Sequence, residues 1–600
     1  MTFTGLGTSS LTNFVPADDL HRVLHEKFQL SEFRPKQKEV IDLVLSGKNT
    51  LALLPTGYGK SLCYQVPSQV LPGATIVISP LIALMQDQLS GLNKRGVSNA
   101  TVLNSSLDAD EYYDAVAGIK CGRFKLIYVA PERLESPRFR QLLQEIKVSL
   151  LVIDEAHCIS QWGHDFRPQY RNMKEHLKLM PDATILALTA TATPTVQRDI
   201  GQNLGLPNIN VVIASFDRPN LRLEVECCSD AKEKDDHVLK LLRQEKSPAI
   251  VYTSSRKETE ALSRRLTVNK LKAVAYHAGM PKETRYRVQK QFEEEKHTII
   301  VSTVAFGMGV DKSNIRRVIH YNMPGSLENY FQEAGRAGRD GNNATCTLLY
   351  QPKDIYTQRW LMERNYPDAR QVSSLLSLLR GDNSRFRKTS ELASALRIDE
   401  FSLNSAIDLL RHLSLIQVTI DGIKAISSTA NGIDMTWLIE RKERDSNRLD
   451  KMVDYANALS CRRKLILQYF GQEYKADCSD CDNCSPKLEK ERPGYISMPP
   501  EKENTSSGTT ENLSHLEQVL MDTVTLLNGK VGRTTIAQVL SGSKAKKIQE
   551  KKLDQIAAYA KFPHIKTDDI ILAIDKLIED GKLRVIPGMY PKLVIARKKK

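Results

Sequence analysis

The 600-residue sequence has no apolar run of membrane-spanning length. Its first ten residues, MTFTGLGTSS, also lack the basic and apolar regions of a secretory signal. These absences predict a protein that is neither secreted nor associated with a membrane. We therefore expect it in the cytoplasm with the nucleoid if its source is prokaryotic, and in the nucleus if its source is eukaryotic.

Cysteine is sparse over most of the chain, which argues against a disulfide framework. A chain without an export signal is expected to keep its thiols reduced, and isolated cysteines then behave as small core residues. Four of the ten cysteines cluster between 461 and 484, and this cluster needs a separate explanation. The six scattered cysteines are Cys63, Cys121, Cys158, Cys227, Cys228 and Cys346.

Acidic residues are outnumbered by basic ones, 71 to 85, which gives a formal net charge of +14. A basic protein attracts polyanions such as nucleic acid through its long-range field. The balance indicates a polyanionic partner but does not select one, because many other soluble proteins are also basic.

Short apolar runs alternate with helical stretches from about residue 50 to 350. The first series is NTLALL, ATIVISP, FKLIYVAP, LLVIDEAH and ATILALTAT, and the second is AIVYTSS, AVAYHAG, TIIVSTV, RRVIHYN and TCTLLY. Nearly continuous apolar strands separated by helices are typical of parallel sheets covered on both faces. The pattern predicts an α/β protein with two tandem parallel-sheet domains, at 1–212 and 213–365.

The remainder of the chain is divided by composition. Residues 366–447 are predicted to form a helical insertion resembling two helices and a small hairpin, either a helix-turn-helix or a simple spacer. Residues 487–512 are polar and rich in Pro, Ser, Thr and Glu, which predicts a flexible linker. In 513–600, a helix begins at Thr567 and ends before Gly581, and the hairpin that follows it suggests a winged helix.

The stretch LLPTGYGKS contains a candidate phosphate-binding loop between a strand and a helix. Backbone N–H groups of Thr56, Gly57 and Gly59 are placed to hold phosphate oxygens, while Lys60 adds charge and Ser61 adds a hydroxyl for Mg²⁺. The general pattern has a glycine where this chain has Leu54, so the loop alone leaves the nucleotide interpretation open.

A second strand ends in two acids, within LLVIDEAH. A carboxylate at Asp154 can hold Mg²⁺ through water, and its neighbour Glu155 can accept a proton from an attacking water. Two acids at a strand end are common without any site. Together with the Gly-Lys-Ser loop in one domain, however, they predict an ATP-hydrolysing site.

A third candidate element, NYFQEAGRAGRDG, lies in the second domain. Gln332 and Arg336 are four residues apart and Arg339 follows three later, so a helix would place all three on similar faces. Two arginines reaching across a cleft can stabilise charge on a transferring phosphoryl group. They could instead form surface ion pairs, but the two-domain layout favours a site divided between domains that opens and closes during ATP turnover.

The clustered cysteines Cys461, Cys478, Cys481 and Cys484 have the number and spacing of a metal site. Four thiolates suit a structural, tetrahedral Zn²⁺, and the Cys-x2-Cys-x2-Cys run is also compatible with an iron–sulfur cluster. The cysteines by themselves leave both metals open, in a module spanning 448–486.

The motifs occur in the order found in superfamily 2 helicases, namely TGYGKS, SPLIALMQDQ, DEAH, ALTATAT, YHAGM, STVAFGMGVDKSNIRRVIHYNMP and ENYFQEAGRAGRDG. The stretches EFRPKQKEVI and HCISQWGHDFRPQY resemble the RecQ family in particular. The resemblance spans about 20–360 strongly, resumes over 450–485 and is weaker over 513–600. It implies two RecA-like domains followed by a helical zinc-binding module and a winged helix.

The resemblance also implies residue roles near the nucleotide. Arg34 and Gln37 correspond to the family's adenine-binding segment, with Gln37 reading the base edge. The family usually has Gly-Tyr where this chain has Gln29-Leu30, so an aromatic stacking partner is missing and nucleotide choice is expected to be less strict.

Further implied residues contact DNA. The polar loop after DEAH resembles the family's aromatic-rich loop, in which aromatic faces stack on bases and arginine binds phosphate. Its residues are Gln161, Trp162, His164, Phe166 and Arg167. In the winged helix, the candidate phosphate contacts are Lys544, Lys546, Lys547, Lys551 and Lys552. Those lysines could instead be a solvated helix face, and Tyr590 is the candidate for a wedge at the hairpin tip.

The sequence therefore predicts an ATP-, Mg²⁺- and Zn²⁺-containing DNA helicase with 3′–5′ polarity that acts in recombination and repair. Expected partners are single-stranded DNA and duplex junctions, together with single-strand-binding and repair proteins, and the protein is expected to be a monomer. The helicase-and-RNase-D C-terminal domain of many relatives is not expected. An RNA helicase on the same motor and a non-hydrolysing DNA-binding scaffold remain the alternatives.

Overall fold

The computed structural model describes most of the chain from residue 17 to 595, in two compact units, Met1–Glu491 and Arg492–Lys600. Among the described residues, no helix combines the length and the apolar character that crossing a bilayer requires. The ranges left out are 1–16, 105–106, 161, 164–166, 168–169, 171–172, 296–297, 308–311, 365, 382–384, 414, 420–421, 427–435, 475–476, 486–508, 528–530, 544–547, 550–552, 563–566, 580–581, 587–591 and 596–600.

A seven-stranded parallel sheet forms the centre of domain 1. Its strands are β1 Thr50–Leu53, β2 Ala74–Ile78, β3 Ala100–Leu103, β4 Leu126–Val129, β5 Val148–Ile153, β6 Thr184–Thr189 and β7 Asn210–Ile213. They lie in the order β3-β4-β2-β5-β6-β1-β7. The carboxyl ends of β1, β5 and β6 are therefore neighbours at one edge of the sheet, where open α/β sheets bind ligands.

Helices cover both faces of this sheet. They are α1 Ala17–Phe28, α2 Pro35–Leu45, α3 Leu62–Val70, α4 Ile82–Lys94, α5 Ala109–Lys120, α6 Pro137–Glu145, α7 Met173–Leu177 and α8 Pro194–Asn203. Successive side chains of β1 alternate between two cores, with Leu51 and Leu53 in one and Ala52 and Leu54 in the other. This alternation into two buried layers explains why the four residues from Leu51 to Leu54 are all apolar.

A six-stranded parallel sheet forms domain 2, in the order β10-β11-β9-β12-β13-β8. Its strands are β8 Leu221–Cys227, β9 Ala249–Tyr252, β10 Ala273–Tyr276, β11 Ile299–Ser302, β12 Arg317–His320 and β13 Ala344–Tyr350. Its helices are α9 Ala231–Arg243, α10 Arg256–Val268, α11 Lys282–Glu294, α12 Leu327–Ala334 and α13 Lys353–Arg364. The two-sheet prediction is confirmed, although the predicted boundary at 212 falls inside β7.

The insertion after domain 2 contains three helices and a hairpin. These are α14 Ala369–Gly381, α15 Thr389–Leu396, α16 Glu400–His412, β14 Ile416–Thr419 and β15 Gly422–Ala425. Arg387, just before α15, forms an antiparallel bridge with Ile423 of β15. The order helix, bridge, helix, helix, hairpin resembles that of a winged helix, and the described residues of the insertion have their own hydrophobic core.

The metal-binding module begins earlier than its predicted start at 448. Helix α17, Thr436–Asn457, runs without interruption across the predicted boundary between 447 and 448. Helix α18, Arg462–Tyr469, follows it directly after Cys461. The last ten residues or so of the predicted insertion thus belong to the long helix that leads into the cysteine cluster.

The second unit contains α19 Thr509–Leu527, α20 Arg533–Leu540, α21 Thr567–Glu579, β16 Leu583–Ile586 and β17 Lys592–Ile595. The two strands form an antiparallel hairpin. Helix α19 begins inside the predicted linker 487–512, so the folded unit starts before 513. The predicted apolar face of α21 is buried at Ile570, Ile574 and Leu577, which fixes this helix on the core of the unit.

Candidate ATP site and associated elements

The phosphate loop connects β1 to α3 and depends on two glycines. Gly57 and Gly59 have φ values of 82° and 86°, a region that L-residues rarely adopt. A Cβ at Gly57 would lie 3.1 Å from Cγ of Arg339, and one at Gly59 would lie 2.5 Å from Nε2 of Gln37. The loop is therefore in close contact both with domain 2 and with the first turn of α2.

A cleft of about 420 Å³ lies beside this loop and is shared by both domains. Most of the sequence-predicted nucleotide residues line it together. Those from domain 1 are Thr56, Gly57, Gly59, Lys60, Ser61, Asp154 and Glu155, and those from domain 2 are Gln332, Arg336 and Arg339. Loops that are far apart in sequence thus form a single site.

Two acids follow β5 at the floor of this cleft. Asp154 is 9% exposed, and burial, with a further contribution from Glu155, raises its pKa well above the usual range despite the opposing charge of Lys60. A bound Mg²⁺ would reverse this effect, because a cation stabilises the carboxylate form.

Glu155 is held in a left-handed conformation with φ 49°, which is uncommon for a residue other than glycine. Its Oε2 lies 3.3 Å from Nδ1 of His157, and the same nitrogen lies 3.0 Å from Oγ1 of Thr189 at the end of β6. His157 thus joins the acidic turn to the neighbouring strand. Strained backbone of this kind is frequent where a side chain must be aimed at a reacting group.

Arg34 and Gln37 hold the phosphate loop and do not line the cleft. The Gln37 amide donates to the carbonyls of Tyr58 and Gly59, at 2.8 and 3.1 Å, and accepts from the N–H of Arg34. Arg34 donates to the Gly57 carbonyl at 2.8 Å. Leu30, which is 39% exposed, does line the cleft. Phe28 lines it as well, and the sequence analysis did not identify Phe28 as a site residue.

The arginines of domain 2 reach the cleft for a different reason from the one predicted. Helix α12 ends at Ala334, so Arg336 and Arg339 lie in the turns after the helix and share no helical face with Gln332. Arg336 is 6% exposed and donates to the Gly307 carbonyl. A Cβ at Gly307 would overlap its guanidinium, so this glycine makes room for the arginine.

Arg218 is a site residue that the sequence reasoning missed. It lies between the two sheets, and its guanidinium donates to the Thr56 carbonyl of the phosphate loop at 3.2 Å. It also donates to the carbonyls of Gly335, Ala337 and Gly338, at 3.3, 2.9 and 3.0 Å, in the turns that carry the two arginines. Arg218 therefore connects the phosphate loop to the turns that carry the opposing arginines. The only sequence signal for it was an Arg-Pro-Asn run between the two sheets.

The four clustered cysteines meet the geometric requirement for a metal. Their sulfur atoms all lie within 4.8 Å of one another. A tetrahedral zinc with four bonds of about 2.3 Å needs sulfur atoms about 3.8 Å apart. Two of the cysteines are buried, and the N–H of Cys481 points at the sulfur of Cys478 at 3.3 Å, an arrangement that favours the thiolate. The residues therefore fit Zn²⁺.

The loop after the acidic turn is described only in part, because Gln161, His164 and Phe166 lie outside the described residues. Trp162 is 43% exposed, which agrees with a surface loop and not with a core position. Arg167 donates to the Pro80 carbonyl at 3.0 Å and so anchors the end of the loop on domain 1.

Four family models match successive parts of the chain. They are the DEAD/DEAH box helicase at 34–199, the helicase conserved C-terminal domain at 233–341, RecQ zinc-binding at 428–485 and the RQC domain at 508–600. The ATP-dependent DNA helicase RecQ of Bacillus subtilis is 35% identical over 585 residues, covering 96% of this chain and 83% of the relative. This chain belongs to the RecQ family.

Two further relatives support the same family assignment. A probable ATP-dependent DNA helicase RecS of Bacillus subtilis is 34% identical and covers 78% of this chain and 91% of the relative. The RecQ helicase of Haemophilus influenzae is 35% identical, covering 77% of this chain and 63% of the relative. The family assignment makes the protein an ATP-dependent DNA helicase that uses ATP, Mg²⁺ and Zn²⁺.

The RecQ zinc-binding match begins at 428, in agreement with the early start of α17. The RQC match covers the second unit, where the predicted DNA contacts Lys544, Lys546, Lys547 and Tyr590 lie outside the described residues. DNA binding follows from the helicase and RQC domains, and those individual lysine and tyrosine roles stay predictions.

Proposed function

We propose that the protein hydrolyses ATP in the cleft between domains 1 and 2 and uses the cycle to move 3′ to 5′ along one DNA strand. This movement separates the strands of a duplex during recombination and repair. The observation that carries the proposal is the shared cleft, in which phosphate-binding, acidic and arginine residues from two domains meet.

Each residue has a distinct role in this proposal. Lys60 binds the β- and γ-phosphates, and Ser61 and Asp154 hold Mg²⁺. Glu155 accepts the proton of the attacking water, and His157 keeps its carboxylate in position from 3.3 Å. Magnesium, when bound, neutralises charge that develops on the phosphates.

The arginines act from domain 2. Arg336 and Arg339 stabilise the transferring phosphoryl group, and Gln332 contacts the same end of the nucleotide. Arg218 is a positioning residue, because its hydrogen bonds among the described residues go to backbone carbonyls of the phosphate loop and of the arginine turns. Closure of the cleft then depends on the nucleotide that both walls bind.

Cellular context follows from the DNA substrate. The protein acts as a monomer on single strands and duplex junctions, alongside single-strand-binding and repair proteins. It works in the prokaryotic cytoplasm or the eukaryotic nucleus, wherever the chromosome is. With Leu30 at the base site, other nucleoside triphosphates should support turnover better than they do in relatives with an aromatic residue there.

A strand-displacement experiment tests direction and substrate. We expect unwinding of a duplex with a 3′ single-stranded tail and little unwinding of one with a 5′ tail, at the same ATP concentration. ATP hydrolysis should be stimulated by single-stranded DNA more than by RNA of the same sequence. Preference for the 5′ tail would refute the polarity, and stronger stimulation by RNA would favour the RNA-helicase alternative.

Replacing Arg336 with alanine should lower kcat for DNA-stimulated ATP hydrolysis about 10³-fold, the effect of removing an arginine finger. Binding of a fluorescent ATP analogue should weaken only a few-fold, because the phosphate loop is intact. The matched control is Arg264→Ala, since the Arg264 side chain is 71% exposed on α10 of the same domain. An Arg336→Ala variant that turns over ATP like the control would remove the finger role.

A further inference from the structure

Helix α17, which leads into the zinc cluster, contacts the DNA-binding loop of domain 1 through two arginines. The Arg444 guanidinium lies over the Trp162 ring at 4.6 Å from its centroid. One turn later, Arg448 donates from Nη2 to the Trp162 carbonyl. Helix α17 therefore contacts both the side chain and the backbone carbonyl of Trp162.

Arg444 is nearly buried yet incompletely paired. Its side chain is 11% exposed and forms an ion pair with Glu440, 3.6 Å away. Within the described part of the chain, its Nε and Nη2 have no hydrogen-bond partner. A guanidinium beside a half-exposed tryptophan matches the chemistry of a nucleic-acid strand, which offers a phosphate and a base face side by side.

Arg448 is held both by an acid of its own helix and by an acid of domain 2. Its Nη1 pairs with Asp445 at 2.8 Å, and its Nε lies 3.8 Å from Glu328 of α12 in domain 2. Asp445 also accepts a hydrogen bond from the hydroxyl of Tyr366, at the start of the inserted winged helix. Arg448 therefore joins the loop of domain 1 to domain 2 and to the insertion.

The same loop contacts the acidic turn on its other side. A Cβ at Gly163 would overlap the His157 carbonyl oxygen, so Trp162 is followed by a residue packed directly against His157. The His157 ring lies 3.3 Å from the Glu155 carboxylate. A shift of Trp162 can therefore act through Gly163 and His157 on Glu155, the group that is proposed to activate water.

We propose that α17 is part of the single-strand sensor. In this proposal Arg448 is a positioning residue that fixes Trp162, and Arg444 both stacks on Trp162 and binds a phosphate of the strand. Tyr366 strengthens the arrangement through Asp445, which gives the inserted winged helix an influence on strand sensing. The inference rests on the proposed role of the Trp162 loop in coupling strand binding to ATP hydrolysis.

The first test measures the oligothymidylate concentration that gives half-maximal ATPase stimulation of the full-length zinc protein. Arg444→Ala should raise this concentration about five- to tenfold, the loss expected for a partly desolvated cation–π contact plus a phosphate contact. Arg448→Ala should raise it as well, and Tyr366→Phe should raise it less. Lys451→Ala is the control on the same helix, because the Lys451 side chain is 62% exposed and pairs with the nearby Asp454.

A salt titration separates the two arginines. Loss of one phosphate contact to a single strand should reduce the slope of log affinity against log salt by about 0.7 in magnitude. Arg444→Ala should show this reduction, and Arg448→Ala should not. An unchanged slope for Arg444→Ala would overturn the phosphate contact.

Fluorescence reports the position of Trp162 directly. The other two tryptophans, Trp360 and Trp437, are replaced by phenylalanine so that emission comes from Trp162 alone. Arg444→Ala and Arg444→Lys should both make Trp162 more accessible to acrylamide before DNA is added, since lysine keeps the charge and lacks the planar stacking group. Unchanged quenching in both variants would refute stacking of Arg444 on Trp162.

The outcomes distinguish this inference from the proposed function. If Trp162→Ala itself leaves the half-stimulating DNA concentration unchanged, then the loop is not a strand sensor and the proposed role fails. If Trp162→Ala raises that concentration while both arginine variants behave like Lys451→Ala, then only the role of α17 fails. Zinc content and the thermal midpoint show for every variant that the fold is intact.

Discussion

Lys60→Ala should reduce kcat for ATP hydrolysis at least about 10²- to 10³-fold, even with saturating DNA. Lys60 lines the cleft with Asp154 and with the arginines of domain 2, and it is the cationic side chain of the phosphate loop. Loss of one preorganised group that stabilises transition-state charge typically costs this much. Phosphate release measured with and without single-stranded DNA checks the prediction.

The matched control is Lys48→Ala, because Lys48 is exposed just before β1 in the same domain and does not line the cleft. This variant should hydrolyse ATP like the parent protein. Lys60→Ala should still bind single-stranded DNA, since the Trp162 loop lies outside the phosphate loop. Turnover of Lys60→Ala near the parent rate would contradict the assignment of the ATP site.

Cys481→Ser should have the second large effect, on zinc content and stability. Structural zinc contributes about 10–16 kcal/mol of apparent binding energy in small zinc-binding peptides. That is as large as the whole stability of many domains, about 5–15 kcal/mol. We expect the zinc content per chain to fall and an early unfolding transition to appear at a lower temperature.

The same variant should also lower DNA-stimulated ATP hydrolysis, because the zinc module packs on the connection between the motor domains. Phe470 stacks on Phe216 with ring centroids 4.9 Å apart, and Gln472 accepts the N–H of Phe216 at 2.9 Å. Arg463 donates to the Leu221 carbonyl at 3.0 Å, at the start of β8. Unfolding of the module would release this connection and disturb cleft closure.

Cys121→Ser is the control, because Cys121 is an exposed free cysteine of domain 1 that is remote from the cluster. It should leave zinc content, melting and ATP hydrolysis unchanged. Full zinc content and parent-like melting of Cys481→Ser would contradict a four-cysteine structural site.

The strands that could be predicted from the sequence and those that could not differ in their position in the sheets. The ten apolar runs identified from the sequence are all strands, and most lie inside a sheet. The three that were missed, β3, β7 and β8, are all edge strands. Residues of β7 and β8 are partly exposed, so an edge strand carries a weaker apolar signal than one buried on both faces.

The sequence by itself determined the local chemistry: the phosphate loop with Lys60, the acids after β5 and the four cysteines. These features depend on residue type and spacing within one short segment, so they can be predicted without knowing what lies opposite. The tertiary structure alone determined which distant residues contact these segments. Arg218 and the turns of Arg336 and Arg339 reach the phosphate loop from more than a hundred residues away, and Arg444 reaches Trp162 from nearly three hundred. Such contacts are set by how two sheets and a long helix pack, and no short-range pattern encodes that packing.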